Sequence, residues 1–409
     1  MGPESNWNLW PSLPVAPYSK RKTTMLDLGK GVYVFDQIIG IYYVQLPIRM
    51  TVLTLGDENG GDNKGLFVYA PIAPTKECLN LLKPLIEKHG PVKYIVLPSV
   101  AVEHKVNAGP FARCFPAADF YAVDKQYSFP VNLPPGYLGL PSWTRRLPIS
   151  SGDMKVREGE LPWGGGLEHE VITVFPGIKS AYQDAAFYHK GSKTLLVCDA
   201  VFGVTDTPPP IMVDVEEYRR ALLFHARDND NVGQLPEDTE ENRRKGWKRI
   251  VLLFNFFFPG SATVDLGLAP LKNLQLDYSY GWGGWQPVSW KGTEDAAFDA
   301  FSAGGKATVL PIIEIILSRG DNGAEARRWV DKVTRWDFER VVPAHLDAEL
   351  NIGKEEFRAA FDFLYEGKNK VRFCDEDARF LREAEEGFLN FSVYKSSLGV
   401  LRGKEGCAL

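Results

Sequence analysis

Three apolar stretches of this 409-residue chain end in side chains able to hold a metal ion. They are Leu97-Pro98-Ser99-Val100-Ala101-Val102-Glu103-His104-Lys105, Leu196-Val197-Cys198-Asp199-Ala200 and Val341-Val342-Pro343-Ala344-His345. Each apolar run reads as a buried strand, and its polar residues fall where the strand gives way to a loop. Loops beyond the carboxyl ends of strands are where open α/β sheets hold their sites. A carboxylate or imidazole delivered there needs a partner or a metal, because unpaired charge in a low dielectric is costly. Two carboxylates, Glu103 and Asp199, with two imidazoles, His104 and His345, form a donor set for one divalent cation: zinc first, with iron or manganese as alternatives. Glu103 is also the candidate general base.

Each of these residues has a plainer reading. Glu103 could pair with Lys105 at the surface, an interaction worth little. His104 could be a hydrogen-bonded loop histidine, Asp199 a turn cap, and His345 a core histidine bonded to backbone. The remaining candidates favour their structural roles. Cys198 precedes Asp199 on a strand, so it should point to the opposite face and pack in the core. Ser99 has no adjacent base and does not qualify as a nucleophile. His225 sits at the end of an expected helix, where a cation suits the dipole. His89 and His189 read as helix-end and turn residues. No glycine pattern matches a phosphate-binding fingerprint.

The elements that position these junctions follow from periodicity and turn residues. Residues 1–30 read as an extended arm with Pro11, Pro14 and Pro17. Strands are expected at 32–35, 41–46, 50–55 and 66–69. A helix runs from Thr75, its N-cap, to about His89, where Gly90-Pro91 stops it. A strand at 93–97 completes a βαβ unit. A short helix near 109–114 and a strand at 120–123 repeat the pattern. Residues 124–170, rich in Pro, Gly and Trp, read as loops. Strands return at 171–175, 185–189 and 194–198. Residues 203–304 read as an insertion with helices at 215–227 and 239–248. Its apolar run Ile250 to Phe258 reads as a buried strand, and an aromatic loop spans 278–285. That loop is either an aromatic lid or partner surface, or a loop packed on the insertion. Helices at 310–318 and 324–335, a strand at 340–342 and a helix at 354–364 follow.

Composition narrows the function classes. The 47 basic and 52 acidic residues are well mixed and leave a net charge of −5. No basic stripe marks a nucleic-acid partner. No run of about 18 apolar residues occurs, so no transmembrane segment is expected. Five scattered cysteines without a CxxC pair argue for a reducing compartment rather than a disulfide framework. Met1 to Pro17 lacks the apolar region of a secretory signal.

The order of the three junctions resembles the metallo-β-lactamase superfamily. Its first motif, His-x-His-x-Asp-His, falls here on Ser99, Ala101, Glu103 and His104. Its later ligand positions fall on Ile178 after Pro176-Gly177, on Asp199 and on His345. The resemblance implies a four-layer αββα sandwich, with residues 31–202 and 305–409 forming the domain around the insertion. It also implies that the first metal position, at Ser99, Ala101 and Ile178, is empty. The second, at Glu103, His104, Asp199 and His345, keeps every ligand-capable side chain. More narrowly, the chain resembles a metallo-β-lactamase-like family of unknown function from photosynthetic lineages. The stretches that carry this likeness are Asn8-Leu9-Trp10-Pro11, Glu103-His104-Lys105 with Gly109-Pro110-Phe111-Ala112-Arg113, Phe224-His225-Ala226-Arg227-Asp228, Gly281-Trp282-Gly283-Gly284-Trp285 and Pro343-Ala344-His345-Leu346-Asp347. That likeness implies a chloroplast setting and supplies no reaction.

Two functions are therefore expected. One is a mononuclear metal-dependent hydrolase acting on a small molecule; thiolesters, lactones and phosphoesters are the substrates the superfamily suggests. The other is a catalytically silent binding or assembly protein with a protein partner.

Overall fold

In the computed structural model the described residues are 21–41, 44–56, 64–126, 135–158, 161–177, 180–228, 235–255, 259–264, 288–365 and 373–394. The first sheet begins as a meander. Strands β1 (Thr24–Asp27), β2 (Val32–Ile41), β3 (Val44–Leu55) and β4 (Gly65–Tyr69) pair antiparallel in succession. The turn between β1 and β2 needs left-handed backbone at Gly29, Lys30 and Gly31, and two glycines supply most of it. The chain then switches to parallel additions through α1 (Lys76–His89), β5 (Val92–Leu97), α2 (Val102–Cys114), β6 (Asp119–Ala122) and β7 (Arg145–Arg146). Among the described residues this sheet has seven strands in chain order. Thr75 caps α1 as expected: its hydroxyl accepts from the Cys78 N–H at 3.1 Å.

After α3 (Ser151–Glu158), strands β8 (Leu167–Gly177), β9 (Ser180–His189) and β10 (Thr194–Val197) open a second sheet. A helix-rich stretch follows: α4 (Pro210–Asp214), α5 (Glu216–Ala226), α6 (Glu240–Asn255), the antiparallel pair β11 (Ala262–Val264) and β12 (Val288–Trp290), and α7 (Glu294–Ser302). Helices α8 (Pro311–Ser318) and α9 (Asp321–Val333) lead to β13 (Arg340–Pro343), which joins β10 in parallel and completes the order β13-β10-β9-β8. Two helices, α10 (Lys354–Ala359) and α11 (Asp375–Tyr394), close the described chain.

The apolar alternation on each strand explains the layers. One face of each sheet meets the other sheet: Val34, Leu53, Phe67, Val96 and Tyr121 pack against Val171, Ala185, Phe187, Leu196 and Val342. The outer face of the first sheet is covered by Cys78, Leu82 and Leu85 of α1 and Ala108, Phe111 and Ala112 of α2. The outer face of the second is covered by Ile313, Leu317, Trp329, Val330 and Phe357. The architecture is thus a four-layer αββα sandwich, as expected. Each fully buried large apolar side chain contributes about 1.5–3 kcal/mol.

One polar residue is built into the middle layer. The ring of His169 stacks on Phe187 at 5.0 Å and meets Trp163 edge-on at 5.4 Å. Ser151 Oγ accepts from the His169 backbone N–H at 2.6 Å, so its own proton goes to Nδ1 at 3.0 Å. Nε2 then carries the ring proton and donates to the Pro148 carbonyl at 3.0 Å. Burial of this neutral, satisfied ring pushes its pKa from 6.5 down to about 4.

The strand expected at 250–258 is a correction. Residues up to Asn255 form the second half of α6, and 256–258 lie outside the described residues. Trp247, Ile250, Val251 and Phe254 recur at helical spacing, and the polar half, Glu240 to Lys245, precedes the apolar run. Read alone, the run hides its period because its far side is also covered. Helix α6 crosses α5 closely at Gly246, where a Cβ would sit 1.8 Å from the Leu222 carbonyl oxygen. Smaller differences have local causes. Residues 24–27 of the expected arm pair as β1, and α3 lies in the stretch read as loops. Helix α2 starts at Val102, well before the expected Gly109, despite Gly109 and Pro110 within it. The helix expected at 354–364 ends as α10 and resumes as a 3₁₀ turn at Asp362–Leu364.

Candidate metal centre

The three junctions meet at one end of the sandwich. Strand β5 hands the chain to α2, whose first turn carries Glu103 and the fully buried His104. Strands β10 and β13 are parallel neighbours with Val197 opposite Pro343. Asp199 and His345 each lie two residues further on, so they emerge side by side. Glu103, His104, Asp199 and His345 each offer a ligand atom, and these atoms lie within 4.8 Å of one another.

The inner distances suit one ion. His104 Nε2 is 3.0 Å from His345 Nε2. Asp199 Oδ1 is 3.4 Å from His345 Nε2 and 3.8 Å from His104 Nε2. Donors about 2.0–2.2 Å from a tetrahedral zinc stand roughly 3.3–3.6 Å apart, an interval that the three separations bracket. The His345 tautomer is fixed by the Pro47 carbonyl, 2.9 Å from Nδ1. A carbonyl only accepts, so Nδ1 holds the proton and Nε2 presents a bare lone pair to the cluster. Among the described residues, Nδ1 of His104 is buried without a hydrogen-bond partner. That ring therefore lacks the outer anchor that ligating histidines usually have.

The electrostatics favour a positive charge in the middle. Burial alone would raise the Asp199 carboxyl, but the hydrogen bond and charge of His104, with His345 and Ser99 behind it, hold it well below the usual range. Burial disfavours a charged His104, yet the adjacent Asp199 lifts its pKa above 6.5. Burial and the neighbouring His104 push His345 down to about 4. Burial and Asp199 raise Glu103. One ionised carboxylate facing a bare imidazole nitrogen is a donor set that accepts a divalent cation.

Asp184 is the residue that sequence reasoning missed. It is fully buried on β9 and accepts three backbone N–H groups, from Cys198 at 3.2 Å, Asp199 at 2.6 Å and Ala200 at 2.8 Å. It shapes the turn that presents Asp199. Burial and the Asp199 charge raise its pKa to about 7. The signal was present as an aspartate inside Tyr182-Gln183-Asp184-Ala185-Ala186-Phe187. Ser99 donates to Asp199 Oδ2 at 2.8 Å, and Ala101 is the N-cap of α2.

The other expectations sort by place. Cys198 is buried in the layer between the sheets. His89 and His225 lie in the last turns of α1 and α5, and His189 Nδ1 meets Ser192 Oγ in a turn at 2.7 Å. Ile178, Asn8 to Pro11 and the aromatic loop at 278–285 lie outside the described residues. No helix among the described residues is long and apolar enough to cross a membrane.

Comparison with known proteins gives the following. Residues 30–363 match a family described as a domain of unknown function (DUF4336). No curated protein sequence matches the chain. Among solved structures, the chain is similar to the metal-soaked Flv1 flavodiiron core from Synechocystis sp. PCC6803, with 12% identity and a TM-score of 0.41, over 86% of this chain and 63% of that one. The chain thus spans less than two thirds of that protein's length. It is similar to a fragment of the putative diflavin flavoprotein A 5 from Nostoc sp. PCC 7120, with 10% identity and a TM-score of 0.38, over 92% and 98% of the two chains. It is also similar to a metallo-β-lactamase from Hirschia baltica, with 12% identity and a TM-score of 0.32, over 45% and 74%.

Proposed function

The chain belongs to the DUF4336 family, a domain of unknown function, and from that premise we propose that it binds a single divalent cation and uses it for hydrolysis. His104, Asp199 and His345 hold the ion, and zinc is the metal that two imidazoles and a carboxylate suit best. The observation that carries this reading is the meeting of the His104 and His345 Nε2 atoms at 3.0 Å beside Asp199 Oδ1. A divalent cation lowers the pKa of a bound water and polarises a scissile carbonyl or phosphoryl oxygen. The Pro47 carbonyl keeps His345 Nε2 free of its proton, and Asp184 holds the backbone that aims Asp199. Glu103, raised by burial beside Asp199, takes the proton from water as general base. The substrate is a small ester-like molecule.

Elemental analysis of the purified full chain, reloaded with Zn²⁺, tests the reading. One ion per chain is expected, lost in a His104→Ala/Asp199→Ala/His345→Ala variant. No stoichiometric metal, or equal metal in the triple variant, would count decisively against it.

A second reading has its own support. Ser99 and Ala101 stand where the superfamily pattern has histidines, and the Ser99 hydroxyl is committed to Asp199. That favours a catalytically silent binding or assembly protein, and the narrower family resemblance implies a plastid for it. A stable partner that co-purifies and is lost on deleting residues 1–20 would favour this reading.

A further inference from the structure

We infer that Arg49 is a positioning residue for the cation centre, fixing where His345 stands relative to His104. This rests on the cation-binding reading above. His104 travels with the first sheet through β5 and α2, whereas His345 follows β13 of the second sheet. Some residue must set the gap between the two sheets at that end. Arg49, on β3 of the first sheet, is fully buried in its side chain. Its Nη1 donates to the carbonyls of Pro343 at 2.8 Å and Asp347 at 3.1 Å, and its Nη2 to that of Leu346 at 3.0 Å. Its backbone N–H donates to Ala344 O at 2.7 Å. Asp36 orients the fork through Nε at 2.8 Å and Nη2 at 3.1 Å. These bonds bracket His345 on both sides. The clamp also holds Leu346 at a φ of +59°, a left-handed conformation that a residue with a Cβ disfavours. Released, that backbone has reason to relax, and His345 would swing with it. A planar guanidinium suits the task because its donors lie in a fixed fork.

Arg340 supplies the contrast. It ties the other end of β13 to the first sheet, donating to Leu28 O at 2.7 Å and pairing with Glu349 at 2.9 Å. It belongs to the same strand, but its side chain reaches Leu28, Thr194 and Glu349 and none of residues 343–347.

The experiment compares full-length variants by Co²⁺ titration, Zn²⁺ competition and thermal unfolding. Arg49→Met/Asp36→Leu removes the clamp without stranding a buried charge. It is expected to bind Zn²⁺ about 10–100-fold more weakly and to shift the visible Co²⁺ bands. Arg49→Lys keeps the charge for Asp36 but cannot span the three carbonyls, and it should fall between. Arg340→Met should lower Tm while leaving both the affinity and the Co²⁺ bands unchanged. Wild-type affinity and bands in both Arg49 variants would overturn the inference, as would an equal loss in Arg340→Met, which would mean general loosening. A wild-type chain that takes up neither ion would overturn the cation reading and this inference with it.

Discussion

Acidification, read as a difference between wild type and a His169 variant, tests the middle layer. His169 holds one tautomer between Ser151 and Pro148, in van der Waals contact with Phe187 and Trp163. Protonating Nδ1 would turn the Ser151 hydroxyl from donor into the target of two N–H groups and place a charge between the sheets. The pKa is accordingly depressed from 6.5 to about 4. The sign follows from proton counting: between these values the unfolded chain binds the proton and the folded chain does not, so stability is full above about 6.5 and falls as pH drops towards 4. With about 1.4 kcal/mol per tenfold change in proton affinity, the complete loss is about 3 kcal/mol. At pH 5 roughly 2 kcal/mol of it has been lost. Urea unfolding of wild type and His169→Gln at pH 8 and pH 5 isolates this contribution, because the other titrating groups are common to both. The variant is expected to be less stable at pH 8 yet to lose about 2 kcal/mol less on acidification. Equal losses in the two proteins would refute the reasoning, since the buried ring would then not be the group that resists protonation.

Three further outcomes are expected. Asp184→Asn replaces one of the two acceptor oxygens that take three backbone N–H groups with an NH2, so at least one buried N–H loses its acceptor, at a cost of about 1–3 kcal/mol; thermal unfolding should register the loss, and Zn²⁺ affinity should fall about tenfold as Asp199 loses its backing. Glu103→Gln should retain the Zn²⁺ stoichiometry of wild type while abolishing any hydrolysis found by substrate screening; parallel loss of metal and activity would make Glu103 a ligand instead of a base. Gly246→Ala drives a methyl into the Leu222 carbonyl, and calorimetry should find a destabilisation of about 1–3 kcal/mol or more, with the cation site unaffected.

Much of the fold is written locally. Thr75 and Gly90 bound α1 in the sequence as they do in space, and the strands that carry Asp199 and His345 are short apolar runs with turn residues on each side. The three junctions could be paired with one another because strand ends are where sheets deliver polar groups. What stayed hidden is non-local. Asp184 looks like a stray carboxylate until the 198–200 turn folds over it. Ile250 to Phe254 looks like a strand because burial against α5 and α7 makes both sides of a helix apolar. Arg49 looks like an ordinary strand cation, and only the return of residues 343–347 gives it acceptors. In each case the deciding partner lies far along the chain, beyond the reach of a periodicity window.

The parallel pairing of β10 with β13 also sets an order in time. Thr194 and Arg340 are 146 residues apart, and every helix from α4 to α9 lies between them. A loop of that length must close before Asp199 and His345 can be neighbours, and such distant contacts form slowly. The first sheet needs nothing beyond Arg146 to pair its own strands. A chain emerging from synthesis can therefore complete one half of the sandwich early, while the cation centre waits for the last strand. On the cation-binding reading proposed above, uptake of an ion would report that both halves have closed, and a stalled chain would go unmetallated.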